Sequence, residues 1–124
     1  MAWVFDDNRS IYIQLVEQIQ TKIITGIYEP GSRLPAVRVL AAEAGVNPNT
    51  MQRALSELER TGLVYSVRTS GRFVSDNEGM IAEIKKDFAK KEASEFCKKM
   101  HELGFTDEEA AELVRNNSRG KTKL

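Results

Sequence analysis

The sequence predicts an α+β, mostly α fold, in which three helices and a β-hairpin are followed by two further helices. Three observations lead there. Two short segments with helical apolar spacing, one starting at Val37 and one at Pro48, are separated only by a tight turn at Gly45 to Asn47. Directly after the second of them, Leu63 to Ser75 changes to strand composition around a polar turn. Beyond a polar break at 76–79, apolar residues recur at helical spacing until close to the end of the chain.

The chain's 124 residues allow one domain with a short appendage, which leaves no room for a large separate ligand domain. Its 41% hydrophobic and 29% charged residues are those of a soluble globular protein, and no apolar run approaches the roughly 20 residues of a membrane span. The short acidic start, Met1 to Asn8, does not resemble a signal peptide, so the cytoplasm is the expected compartment. A lone cysteine, Cys97, falls among the apolar positions of a helical pattern and reads as packing.

The first helix is predicted from Ser10, a good N-cap, to about Thr25, with Tyr12, Leu15, Val16, Ile19 and Ile23 on one stripe and Gly26 ending it. Tyr28 to Pro35 contains a Pro-Gly turn and reads as a connector. A second helix places Val37, Leu40, Ala41 and Ala44 inward and is closed by Gly45 in the left-handed conformation. A third is capped by Asn47, carries Pro48 at its first position and turns Met51, Ala54, Leu55 and Leu58 inward as far as Gly62. The strands Leu63 to Val67 and Arg72 to Ser75, around Arg68-Thr69-Ser70-Gly71, complete a winged helix-turn-helix over residues 1–75.

Over 76–117 two helices are expected. The first runs from about Met80 to Leu103 with Ile81, Ile84, Phe88, Ala89, Ala93, Phe96, Cys97, Met100 and Leu103 along one stripe. The second opens on a capping box at Thr106 to Glu109, with Phe105 and Ala110 as its hydrophobic staple, and ends near Asn116. The long stripe exceeds what the short helix covers. A second copy of the chain is the expected cover, with Ile84, Phe88, Ala93, Phe96, Met100 and Leu103 as the dimerisation residues of a C-terminal two-helix element. Residues 118–124 are polar and basic without periodicity, and are expected to be a disordered tail.

Formal net charge is zero, yet the charge is unevenly placed. Between Ser32 and Ser75 six cations, all arginine, face three glutamates; from Asp76 onward ten Lys/Arg mix with eleven Asp/Glu at helical spacing, as on a solvated face. No catalytic site is legible. His101 stands near a helix end where a dipole contact or exposure accounts for it, the glycines form no phosphate loop, and no metal-ligand cluster or nucleophile elbow occurs. No catalytic residue, metal or cofactor is therefore assigned, and whether a small-molecule effector exists is not legible.

The informative residues lie on the outward side of the third helix. With its apolar side buried, the helix offers Asn47, Asn49 and Thr50 at its N-terminus and Asn49, Gln52, Arg53 and Ser56 along its free face. Asn and Gln pair bidentately with adenine and Arg with guanine, and Thr contacts phosphate or a thymine methyl, which suits a major groove. A polar solvent face with a good cap is the competing reading, and this face alone does not separate the two. The turn Arg68-Thr69-Ser70-Gly71-Arg72 adds two cations and two hydroxyls at a hairpin tip suited to phosphates or the minor groove. The arginines concentrated across these elements favour double-stranded DNA as partner, over a winged helix used only to dock another protein.

Ile11-Tyr12-Ile13-Gln14-Leu15 with Gly26-Ile27-Tyr28-Glu29-Pro30-Gly31-Ser32-Arg33-Leu34-Pro35 resembles the N-terminal signature of GntR-family regulators. Gly45-Val46-Asn47-Pro48-Asn49-Thr50-Met51, Arg53-Ala54-Leu55, Gly62-Leu63-Val64 and Gly71-Arg72-Phe73-Val74 are similar to the family's further blocks, in order, so the resemblance covers Ile11 to Ser75. The Asn-Pro-Asn-Thr turn and the two helices in place of an effector domain resemble the YtrA subfamily. The resemblance implies a transcription regulator of a group that is typically dimeric and often controls transporter genes; the leading expectation is a repressor that occludes a promoter, and the two-fold dimer expected on the long apolar stripe calls for a near-palindromic operator. The resemblance also implies DNA contacts at Arg38, at Asn47, Asn49 and Thr50, and on the wing from Arg68 to Gly71. Pro48 and Gln52 stand where many relatives carry arginine, so an operator is not carried over with the resemblance.

Overall fold

In a computed structural model, described for residues 3–119, Ser10 opens helix α1 (Ile11–Ile24) by accepting from the Ile13 N–H, and the chain leaves it through Gly26 at positive φ. Helix α2 (Val37–Ala44) ends on Gly45 at φ 71°, a left-handed residue that glycine adopts without the clash a Cβ brings. The Asn47 side chain accepts from the Asn49 N–H at 2.7 Å to start α3 (Pro48–Arg60), and Pro48 at its first turn removes a donor that would have had no partner. Strands β1 (Val64–Val67) and β2 (Gly71–Val74) pair antiparallel in the register Val64↔Val74 to Val67↔Gly71.

The core gathers Leu15, Ile19 and Ile23 of α1, Leu40 and Ala41 of α2, and Met51, Ala54, Leu55 and Leu58 of α3 with Leu63, Val64 and Val74. Every inward position expected on α2 and α3 is at least half-buried, most of them fully. Gln14 is buried as well. Its amide takes the Asp6 N–H at 2.7 Å and donates to the Asp6 carbonyl at 2.7 Å, which fastens the N-terminal segment to α1. Lys22 is buried with its Nζ 3.6 Å from the centroid of the Trp3 ring; burial lowers its pKa, while Glu43 opposes the shift.

The connector before α2 holds more structure than its turn residues indicated. Leu34 N–H donates to the Arg72 carbonyl at 2.9 Å and Val74 N–H to the Ser32 carbonyl at 2.8 Å, so Arg33 bridges Phe73 along the free edge of β2. Only a short stretch pairs, too few residues for an alternating pattern to show in sequence.

Helix α4 spans Glu78–Glu102 and α5 Asp107–Arg119. The capping box forms as expected, with Thr106 N–H on Glu109 Oε1 at 2.9 Å and Glu109 N–H on Thr106 Oγ1 at 3.1 Å. Internal packing divides the chain after Ile84 rather than after Ser75. The reason is apolar: Ile81 is part of the N-terminal core and Ile84 packs against it, so the first turns of α4 belong to the winged-helix unit. Ile84, expected on the dimer surface, is thus half-buried against that core. Met100, also expected there, is buried within its own chain. Ser118 and Arg119, assigned to the tail, continue α5, and residues 120–124 lie outside the described residues. Among the described residues no helix is long and apolar enough to cross a membrane.

Candidate nucleic-acid interface

Helix α3 buries one side completely, which fixes where its remaining side chains go. Asn47, Asn49, Gln52, Arg53 and Ser56 are exposed and Thr50 is half-buried. The helix N-terminus carries a partial positive charge and no carboxylate in its first turn, so its first residues suit an anion or an electron-rich base edge. Arg38, the second residue of α2, is exposed and has no hydrogen bond or ion pair among the described residues.

The wing is fixed to this helix by one polar cluster. Arg72 Nε donates to Glu59 Oε2 at 2.7 Å, the Ser66 hydroxyl donates to Glu59 Oε1 at 2.8 Å, and Arg72 Nη1 donates to Gln52 Oε1 at 3.4 Å. Burial pushes the Glu59 carboxyl up, but the hydrogen bonds from Arg72 and Ser66 and the charge of Arg72 outweigh it and hold the group below its ordinary value. Glu59 is thus the clamp between helix and hairpin. On the opposite face of the hairpin Tyr65 and Phe73, cross-strand partners, stack with ring centroids 5.7 Å apart.

Two expected contacts are redirected by these neighbours. Arg72 shares its strand face with buried Val74, which turns it toward α3 and Glu59 rather than to the tip, and its side chain is 17% exposed. Arg53 lies over the Tyr12 ring with its guanidinium carbon 4.3 Å from the centroid, so α1 holds it to one side of the helix. Arg68, Thr69, Ser70 and Gly71 form the exposed tip, where Ser70 N–H closes the turn on the Val67 carbonyl at 3.0 Å. Sequence reasoning missed Glu59 and Tyr12 as partners. Tyr12 was visible only as part of an apolar stripe, and nothing local marks a glutamate whose partner is thirteen residues away.

A short helix-turn-helix whose second helix is clamped to a basic hairpin defines a winged-helix DNA-binding protein. The chain belongs to the GntR family of bacterial regulatory proteins, whose sequence profile matches residues 11–74. It is 36% identical over 116 residues to the HTH-type transcriptional regulator YhcF of Bacillus subtilis, covering 94% of this chain and 96% of that protein. Identity to the HTH-type transcriptional repressor YtrA of the same organism is 33% over 109 residues, 87% of this chain and 84% of that one. A GntR family transcriptional regulator from Listeria monocytogenes has a similar structure, with a TM-score of 0.85 and 40% identity over 90% of this chain and 98% of that one. The AraR DNA-binding domain, solved in complex with operator ORX1, is similar at a TM-score of 0.52 and 31% identity over 58% of this chain and 93% of that one. The chain is a transcriptional regulator with a DNA-binding domain, not an enzyme.

Proposed function

We propose that the protein is a homodimeric repressor that places the N-terminus of α3 in a major groove and the wing tip on the adjoining backbone of a near-palindromic operator. The observation that carries this reading is the Glu59–Arg72 clamp, because it presents the polar face of α3 and the tip from Arg68 to Gly71 as one rigid surface. Asn49 is the base reader in this arrangement, Asn47 and Thr50 set the helix end against the backbone, and Arg38 and Arg68 supply phosphate contacts. Gln52 joins the reading face with its carbonyl turned toward Arg72.

Dimerisation is supported by the second unit, where Phe96, Leu103, Leu113 and Val114 are 42%, 67%, 45% and 53% exposed. So much apolar surface on α5, the later part of α4 and the turn between them calls for a cover. Ala93, Ser94 and Cys97 line a shallow groove along α4, and Phe96 is a ridge beside it, so a second copy of the same helix offers a matching relief. Repression follows the character of the similar YtrA protein, and a bound dimer would act by occluding a promoter. Gel shifts at several salt concentrations test the reading: phosphate contacts make affinity fall steeply as salt rises, whereas a protein-docking module would not retard DNA at all.

A further inference from the structure

We infer that Arg33, in the connector before α2, is an additional DNA-backbone contact carried beside the wing, where its guanidinium takes a phosphate at the flank of the site. This rests on the DNA-binding reading above and adds to it a cation that neither the helix-turn-helix nor the hairpin contains.

The placement follows from strand pairing. Arg33 bridges Phe73 across the free edge of β2, and directly opposed residues share a face of the sheet. Gly71, two residues before Phe73, lies on that same face, and the Arg33 side chain extends along it: a Cβ built on Gly71 would stand 3.2 Å from the Arg33 Nε and 3.4 Å from its Nη2. The absence of a side chain at Gly71 thus leaves the seat that brings a guanidinium to the base of the tip. Arg72 points the other way, to Glu59.

Three other arginines of this region are engaged within the chain, whereas Arg33, like Arg38 and Arg68, is not. Arg53 lies over Tyr12, Arg60 pairs with Glu57 and Arg72 with Glu59, whereas Arg33 is exposed and makes no hydrogen bond or ion pair among the described residues. A planar guanidinium held against backbone, with its donor edge in solvent and no carboxylate to quench it, matches the oxygens of a phosphodiester. Its position on the outer face of the hairpin, away from α3, places that phosphate outside the stretch read by the helix.

The test needs no operator, because binding to a mixed-sequence duplex is itself driven by phosphate contacts. Affinity for such a duplex is measured across a salt series for the full-length parent, Arg33→Ala and Arg33→Lys, with thermal melting of each. Arg33→Ala is expected to melt like the parent, to bind more weakly, and to have a log–log salt slope shallower by about 0.9 for each Arg33 engaged. For one such contact the parent-to-variant affinity ratio shrinks about three- to fourfold between roughly 50 and 200 mM salt. Arg33→Lys, which keeps the charge, retains most of the parent slope. An unchanged slope in a folded Arg33→Ala protein overturns the proposal while leaving DNA binding intact; a parent that shows no salt-dependent binding overturns the reading on which it rests.

Discussion

The carboxylate of Glu59 on α3 holds Arg72 of β2 at 2.7 Å and the Ser66 hydroxyl of β1 at 2.8 Å, so one side chain joins the recognition helix to both strands of the wing. Glu59→Gln is expected to remove the ion pair and to lower unfolding stability by up to about 1 kcal/mol, the scale of a partly exposed pair. The clamp also has a pH signature. Because the folded-state pKa is depressed, its stabilisation is complete above the unfolded glutamate value of about 4.3 and is lost as pH falls through the lower folded value. Urea titrations at neutral and acid pH should therefore show the gap between parent and Glu59→Gln closing on acidification; a gap that stays constant contradicts the clamp.

Arg38 and Arg68 have no ion pair among the described residues, and each is exposed on a different element. Arg38→Ala and Arg68→Ala should each weaken DNA binding with no loss of thermal stability, since no internal contact is given up. Fluorescence anisotropy with labelled DNA, alongside melting curves, checks both. Parent-like binding by both folded variants would show that DNA lies elsewhere.

Asn49 is exposed in the first turn of α3, and its side-chain amide has no hydrogen bond among the described residues, so it is available for a base edge. Asn49→Ala should lose discrimination at one base pair of each half-site, on the order of 1–3 kcal/mol, with a smaller effect on binding to unrelated DNA. Competition binding with single-base operator variants measures this. Equal loss on every sequence would make Asn49 a backbone contact instead.

Phe96 of α4 and Leu103 in the turn after it are strongly exposed apolar residues, and two glutamates there should leave the fold intact and remove the cover between copies. The Phe96→Glu/Leu103→Glu protein is expected to sediment as a monomer where the parent is a dimer, and to bind a two-half-site duplex about 10²- to 10⁴-fold more weakly through loss of effective concentration. A dimeric double variant would place the interface on another surface.

Much of the winged helix was legible because its signals are local. Asn47-Pro48 and Gly45 fix the turn between α2 and α3 by backbone geometry, and the spacing of Met51, Ala54, Leu55 and Leu58 fixes which side of α3 stays free. What escaped depends on residues distant in the chain. The assignment of Arg72 to the tip failed because strand alternation, together with Glu59, turns it inward, and Arg53 is held by an aromatic ring on α1. The apolar stripe on α4 divides along its length: Ile81 and Ile84 pack on the N-terminal core, whereas Phe96 further along is exposed. A helical period shows that a face is apolar and not which surface covers it.

The most direct test of the whole account is selection of bound duplexes from a random double-stranded DNA pool by the full-length protein. A two-fold dimer reading through α3 should enrich an inverted repeat whose half-site centres lie about one helical turn apart, or a multiple of it. Recovery of no preferred sequence, or of a single half-site without a symmetry mate, would contradict it.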